Sequence, residues 1–499
     1  MRTWGPLTAV CLGTFMLLLD VTIAVVALPD MARGLDASLS DLQWVMDGYA
    51  LALAALLLGA GAAADVLGRR RTHVAGVVLF AVASLLCGVA TGPVMLIAAR
   101  ALQGVGAAAM FATTLPLLGS VYRGRQRSVA LGVWGAVSGA AAAVGPVLGG
   151  VLTDGPGWRW IFYVNLPVSV AAVWLTLRVV PESRGARGRR LDRPGAVLFA
   201  AFAAAVTYGA VRAGSHGWAE GGTLTAFGCA VLLLAGFVAV ELRVADPLLD
   251  VRLFARPAFT AVMLAALAFN GAAFGVMAYT SIWLQTLLGM SPVRGGLVFV
   301  WLSLASFLVA AVGGRLLHGV PARFTIGGGL LLIAAGQYCM AFLDASSTAS
   351  ALVPGLLLVG AGTGLVTPGI SGAALASVPP ERAGMAGGAV NTFRQLGYAL
   401  AIAVFGTVLA SRMEDTLPHD ASHALAGGAA SALRDAFGEH VLRTAFADGL
   451  NATAVTAGTV AAVAGVAVLA LAEGGGRPPV QRVFRPRVHR GLSRSSPRP

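Results

Sequence analysis

An acidic and a basic residue stand inside long apolar runs of the sequence. Asp20 lies in the run at 7–29, and Arg100 lies in the run at 94–117. An isolated charge at the centre of a bilayer costs about 2.5–3.5 kcal/mol, so such a residue usually has a partner or a function. If the two runs are neighbours, Asp20 and Arg100 reach similar depth and can pair. One interpretation is a proton-binding carboxylate beside a substrate cavity, and the other is an ion pair that only fixes helix packing.

Other polar residues interrupt the apolar runs. Arg394 and Asn391 form a polar patch in one run, for which lining a substrate cavity and structural hydrogen bonding are both open interpretations. Asp47 lies near the outer end of its run, where an exposed carboxylate costs little, so it is either a second titrating group or a surface residue. Gln103 and Asn165 are typical of hydrogen bonds between membrane helices.

The composition places these residues in a membrane. Of the 499 residues, 57% are hydrophobic and only 11% are charged, against about 25% charged in an average soluble domain. The 65 glycines favour close helix packing through small residues. A run of about 20 apolar residues can span a bilayer as a helix. The sequence therefore predicts an all-α membrane protein whose spans lie near 7–29, 46–64, 73–91, 94–117, 130–152, 160–180, 194–212, 223–241, 258–281, 294–315, 324–343, 351–377, 386–410 and 450–472.

The arginines predict the orientation of these fourteen spans. The chain has 35 basic residues and no lysine, and its net charge is +13. With the N-terminus in the cytoplasm, 26 arginines lie in inner segments and seven in outer ones, as the positive-inside rule requires. Both termini are therefore predicted to be cytoplasmic. The positive charge is explained without nucleic acid, and the basic tail is predicted to be disordered and to contact anionic lipid.

The inventory of reactive residues excludes several classes of function. Without lysine, the chain cannot form a nucleotide-binding P-loop or a lysine Schiff base. The four cysteines stand singly in apolar runs and the seven histidines are scattered, so neither a disulfide framework nor a metal site is expected. The longest outer loop, 411–449, is too short for a catalytic domain, and an amphipathic helix is predicted around 433–446. We therefore expect no catalytic residue and no cofactor.

Two glycine-rich segments and several shorter motifs follow one another along the chain. The loop between the second and third runs contains Gly61, Asp65, Gly68, Arg69, Arg70 and Arg71. The fifth run contains Gly135, Gly139, Gly145, Pro146, Gly149 and Gly150. These segments resemble the signature gating loop and the "antiporter" motif of the major facilitator superfamily. The stretch from Arg100 to Gly106 resembles the superfamily's helix-4 motif, and the stretches around Asp20 and Arg394 are similar to its fourteen-span drug:proton antiporter branch.

The resemblance implies a fold of two six-helix halves joined by an extra helix pair. The boundaries that follow are 1–180 for the N-terminal half, 181–257 for the linker with the two extra helices, 258–472 for the C-terminal half and 473–499 for the tail. Transport then proceeds by alternating access, as the two halves rock against each other. The resemblance also implies that the loop is a gate and that the fifth run seals the interface against protons. The alternatives are positive-inside topology for the loop and plain packing for the run.

By the same resemblance, we predict a transporter of the bacterial plasma membrane. It exports small amphipathic drugs, antibiotics or a secondary metabolite in exchange for protons, contacts lipid and acts as a monomer. Asp20 is the only carboxylate predicted deep in a span, so it is expected to carry the coupling. One departure from the branch is Val25, where the branch usually has asparagine. Two alternatives remain open, namely a proton-coupled importer or facilitator of a metabolite or lipid and a membrane-embedded transferase.

Overall fold

A computed structural model describes residues 4–184, 192–316, 320–378 and 383–471, which are helical apart from turns and loops. The long helices are α1 (Gly5–Leu35), α2 (Leu39–Leu67), α3 (Arg69–Gly88), α4 (Pro93–Val121), α5 (Gly124–Asp154), α6 (Trp160–Val179), α7 (Arg193–His216), α8 (Gly221–Glu241), α9 (Pro257–Leu287), α10 (Pro292–Val298, continued as Val300–Leu316), α11 (Ala322–Cys339), α12 (Val353–Ala376), α13 (Ala383–Met413) and α14 (Glu439–Leu471). Shorter helices lie at Val251–Ala255, Ala349–Leu352, His419–Ala426 and Ala430–Phe437. The predicted tail, 473–499, lies outside the described residues.

The chain is a multi-pass membrane protein. Twelve helices of the described residues are long and apolar enough to cross a membrane. Each of the fourteen predicted runs falls on a long helix, but α5 and α11 are not among those twelve. They have 31 and 18 residues, so the coarser prediction of a helical membrane protein holds while the count of fourteen remains a prediction.

The turn between α1 and α2 is set by local signals. Asp36 ends α1 in the left-handed region, with φ 52°. Ser38 then caps α2, because its Oγ accepts from the Asp41 amide at 3.2 Å and Asp41 Oδ2 accepts from the Ser38 amide at 2.9 Å. This reciprocal capping box satisfies two amide groups that the first turn leaves free. The chain therefore reverses within a few residues and lays α2 beside the first bundle.

The prediction of a single amphipathic helix around 433–446 is wrong, because two helices share this segment. The short helix Ala430–Phe437 ends at Gly438, which has φ 76°. Glycine adopts this left-handed conformation without a steric penalty and so terminates helices readily. A new helix, α14, begins at the next residue and continues into the predicted last span.

The long helices pack as two bundles with a pair between them. Helices α1–α6 contact one another and form the N-terminal bundle, and α9–α14 form the C-terminal bundle. The bundles meet along two seams, α2 against α13 and α5 against α10. Helix α7 packs on both α2 and α13, with Ala203 among Ala54 and Leu396, and α8 packs on α7. We call the end that carries the α1–α2 turn the outer end, following the arginine distribution.

Candidate functional site

A buried ion pair lies inside the N-terminal bundle. Asp20 on α1 and Arg100 on α4 are both fully buried, and Arg100 Nη1 donates to Asp20 Oδ2 at 2.5 Å. Gln103 Nε2 and Asn165 Nδ2 each donate to Asp20 Oδ1 at 2.9 Å. All of these contacts bring a donor to the carboxylate, which is what a buried negative charge requires. The pairing that the sequence allows is therefore present, with two amides completing it.

The network extends from this pair into three further helices. Arg100 Nε donates to the Val45 carbonyl on α2 at 3.1 Å, and its guanidinium carbon lies 4.4 Å from the centre of the Tyr49 ring. Ser84 on α3 accepts from Gln103 at 2.8 Å and from Asn165 on α6 at 3.3 Å. The two amides thus form the helix–helix hydrogen bonds that their residue types predicted.

A second buried carboxylate lies two residues beyond Val45. Asp47 is completely buried, so the interpretation of Asp47 as a surface residue is wrong, and Asp20 is not the only carboxylate buried in a long helix. Neither oxygen of Asp47 has a hydrogen-bond partner among the described residues. Tyr279 and Tyr398 of the C-terminal bundle lie within electrostatic reach of it. The packing of α2 against α13, which hydropathy does not reveal, is the reason for this burial.

The polar patch on α13 contains an unpaired cation. Arg394 donates through Nε and Nη2 to Asn270 Oδ1 at 3.4 and 3.2 Å, and its guanidinium carbon lies 5.2 Å from the centre of the Phe269 ring. Asn391, three residues earlier, is partly exposed. Among the described residues Arg394 forms no ion pair, so the patch offers a positive charge held by neutral groups.

Hydrogen bonds between the bundles close the outer end. Gln43 on α2 donates to the carbonyl oxygens of Ile402 and Ala403 on α13, both at 3.3 Å. Gln285 on α9 donates to the Val26 carbonyl on α1 at 2.8 Å. These contacts join four helices of the two bundles at this end.

The predicted gating loop spans the end of α2 and the start of α3, with Gly61, Asp65, Gly68, Arg69, Arg70 and Arg71 in order. Arg69 Nη2 lies 2.8 Å from Asp65 Oδ1. The Arg70 amide donates to Glu182 Oε1 at 3.0 Å, and Arg71 Nε lies 3.8 Å from the same carboxylate. These contacts fasten the loop to the segment that follows α6 in the same bundle.

Gly68 holds the turn of this loop, and its replacement by alanine is expected to destabilise the fold. Its φ of 114° is unfavourable for residues with a side chain, and an added Cβ would lie 2.9 Å from the Glu182 carboxylate. Such strain costs about 1–3 kcal/mol. Gly68→Ala should therefore lower the melting temperature of the detergent-purified protein. Gly92→Ala is the matched control, because nothing lies within 4 Å of its Cβ position, and equal melting of the two variants would contradict the prediction.

The glycine-rich segment of α5 brings helices into backbone contact. A Cβ on Gly149 would lie 2.7 Å from the Ile23 carbonyl oxygen of α1, and one on Gly145 would overlap the Thr22 side chain of the same helix. Gly135 and Gly139 belong to the same helix, but their surroundings lie outside what the structure describes. The close packing of α5 on α1 therefore requires glycine at positions 145 and 149.

The other face of α5 meets the C-terminal bundle. A Cβ on Gly150 would lie 2.6 Å from the Pro292 carbonyl oxygen of α10. In return, a Cβ on Gly296 of α10 would lie 2.2 Å from the carbonyl oxygen of Pro146. The motif thus permits close approach of the two bundles at the outer end of the α5–α10 seam.

Comparison with known proteins decides the family. Residues 10–402 match the model described as Major Facilitator Superfamily. The chain belongs to the major facilitator superfamily. Among its relatives in the superfamily is the multidrug resistance protein Stp of Mycobacterium tuberculosis, 36% identical over 91% of this chain and 83% of that protein. The tetracenomycin C resistance and export protein of Streptomyces glaucescens is 33% identical over 94% of this chain and 91% of that protein.

Solved structures agree on the fold of this superfamily. A bacterial homologue of the human lysosomal transporter Spinster, in an inward-facing and unoccupied conformation, matches with a TM-score of 0.65 at 18% identity. The match covers 94% of this chain and 96% of that one.

Sequence reasoning missed several residues that this superfamily member uses to join its helices. They are Gln43, Ser84, Glu182 and Gln285. A glutamine within or beside an apolar run was the available signal for Gln43 and Gln285, but the sequence does not reveal which carbonyl each one reaches. Ser84 resembles any small packing residue until Gln103 and Asn165 are placed beside it.

The α5–α10 seam of this superfamily member yields a testable prediction. Gly150→Val forces Pro292 away, and such overpacking costs about 1–3 kcal/mol, or roughly a 5- to 150-fold shift away from the outer-closed state. Substrate transport should fall accordingly in vesicles that contain equal amounts of protein. The control is Gly228→Val on α8, where nothing lies within 4 Å of the Cβ position. Full transport by Gly150→Val would show that the close approach is dispensable.

Proposed function

We propose that this protein exports small amphipathic molecules, such as drugs, antibiotics or a secondary metabolite, in exchange for protons. The observation that carries the proposal is a pair of buried carboxylates. Asp20 lies inside the N-terminal bundle with its charge satisfied, and Asp47 lies on α2 without a hydrogen-bond partner among the described residues. Relatives named for drug resistance and antibiotic export support the direction of transport and the substrate class.

In the proposed topology, α5 and α11 are the two remaining spans, which gives fourteen. The N-terminal and C-terminal bundles are the two rocking halves, α7 and α8 are the extra pair, and both termini lie in the cytoplasm of a bacterial cell. The protein works as a monomer in the plasma membrane. The arginine distribution supports this orientation, since 26 of the 35 arginines then lie on the inner side.

Asp47 couples the proton to closure of the outer end. An ionised carboxylate buried without a partner costs several kcal/mol, so the outer-closed packing of α2 against α13 favours a neutral Asp47. When the outer side opens, Asp47 meets water and exchanges its proton. Protonation from the outside then favours closure, and release to the inside completes the exchange. The ion pair of Asp20 and Arg100 stays in place in the same bundle, and we call this pair the polar centre.

The substrate lies between the bundles and contacts the polar patch on α13. Arg394 is held by the neutral Asn270 and Phe269, so it retains the capacity to bind a substrate oxygen. Asn391 supplies a further polar contact from the same helix. The driving force is adequate, because about 2.3 kcal/mol per charge per 100 mV supports roughly a 50-fold gradient of a neutral substrate.

Everted vesicles test this function. A candidate amphipathic antibiotic should enter energised vesicles and release protons from them, and Asp20→Asn should reduce both signals by disrupting the polar centre. Proton-driven accumulation in right-side-out vesicles would instead establish the importer. Proton release that survives in Asp20→Asn would remove Asp20 from the coupling machinery and would leave the proposed role of Asp47 intact.

A further inference from the structure

The outer loop brings three metal-ligating side chains together. Glu414 follows α13, and His419 and His423 stand four residues apart on the short helix His419–Ala426. Residues at this spacing share one helix face. One ligand atom from each of the three side chains lies within 4.8 Å of the others. The spacing of the two histidines can be read from the sequence, but their meeting with Glu414 depends on the fold of the loop.

The distances suit coordination of a small cation. His419 Nδ1 lies 2.7 Å and His423 Nε2 lies 3.5 Å from the same oxygen, Glu414 Oε1. Neighbouring ligand atoms around tetrahedral zinc, at about 2.0–2.1 Å from the metal, stand about 3.3 Å apart. The observed distances lie on either side of that value, so small side-chain rotations bring the three atoms to one metal ion.

One ligand atom of this cluster has no hydrogen bond of good geometry. His423 Nε2 is buried, and its contact with Glu414 Oε1 at 3.5 Å is not a hydrogen bond among those of the described residues. Its ring lies 4.4 Å from that of His419, centre to centre. A buried imidazole nitrogen without a hydrogen bond is costly, and coordination to a metal removes that cost.

We infer that Glu414, His419 and His423 form a binding site for a zinc-class divalent metal on the outer face. Two imidazoles and a carboxylate are ligands that Zn²⁺ accepts, with water as the fourth ligand. The site lies beside the contact between the bundles, because His423 borders a cavity of about 10 Å³ together with Ser40 and Gln43 of α2. Bound metal therefore fixes the loop over the start of α2 and hinders outward opening.

The test uses the full-length chain, freed of any purification tag, with Zn²⁺ alone as the probe. A chelating dye reports competition for zinc, and the wild type should bind one equivalent saturably. His419→Gln and His423→Gln should each weaken that binding at least about tenfold, since even the loss of an outer-shell partner costs 10–100-fold. His440→Gln is the control, because His440 lies on α14 outside the cluster.

Two further measurements keep the inference falsifiable. Zn²⁺ should raise the melting temperature of the wild type and of His440→Gln, but not of the two cluster variants, while all four proteins melt alike in chelator. External Zn²⁺ should slow transport by the wild type and leave the cluster variants unaffected. Equal zinc affinity in the wild type and both cluster variants would place the metal elsewhere and overturn the inference, as would the absence of saturable binding.

Discussion

Arg100→Met should abolish transport and strongly destabilise the protein. It leaves Asp20 buried with two amide donors but without its cation, and breaking a buried ion pair from one side costs about 3–5 kcal/mol. The melting temperature in detergent and proton-coupled transport in vesicles should both fall. Arg33→Met on α1 is the control, because the side chain of Arg33 is 59% exposed and pairs with Asp30 at the surface.

The double variant Asp20→Asn/Arg100→Met separates function from packing. With both charges removed, no uncompensated charge remains, so much of the lost thermal stability should return. Transport should remain absent, because the polar centre has lost its charges. If transport returned together with stability, the ion pair would serve helix packing only and would have no role in transport.

Asp47→Asn should uncouple transport from protons without unfolding the protein. The side chain keeps its shape, and the described residues donate no hydrogen bond to Asp47 that could be lost. The amide cannot take up and release the proton, so substrate-induced proton release should fall to the level of vesicles without the protein. Exchange of labelled for unlabelled substrate, which needs no net proton movement, should continue.

The matched control for this variant is Asp36→Asn. Asp36 is exposed at the end of α1 and has a left-handed backbone, a conformation that asparagine also tolerates. It should therefore transport and release protons like the wild type. Undiminished proton release by Asp47→Asn would exclude Asp47 as the carrier.

The sequence predicts best what depends on hydropathy and on the cost of burying charge. Each predicted apolar run falls on a long helix, and Asp20 and Arg100 form the ion pair that their similar predicted depth allows. Gln103 and Asn165 serve as helix–helix hydrogen-bonding residues, as their types indicate. These inferences need only local composition and a bilayer of known thickness.

The remaining features depend on which helices become neighbours. Asp47 looks exposed from its position near a helix end, and only the packing of α2 along α13 buries it. Arg394 on α13 donates to Asn270 on α9, and no spacing in the sequence reveals that these two helices are neighbours. Glu414 meets His419 and His423 because the outer loop folds back, and the break at Gly438 divides what looked like one amphipathic helix.

The extra pair makes the two seams between the bundles unequal. Helix α7 inserts Ala203 and Ala210 along the α2–α13 seam, and α8 turns its outer face away from α7, with Leu232 74% exposed. Among the described residues, no comparable helix covers the α5–α10 seam. One seam therefore borders further protein and the other does not, which gives the molecule a front and a back within the plane of the membrane.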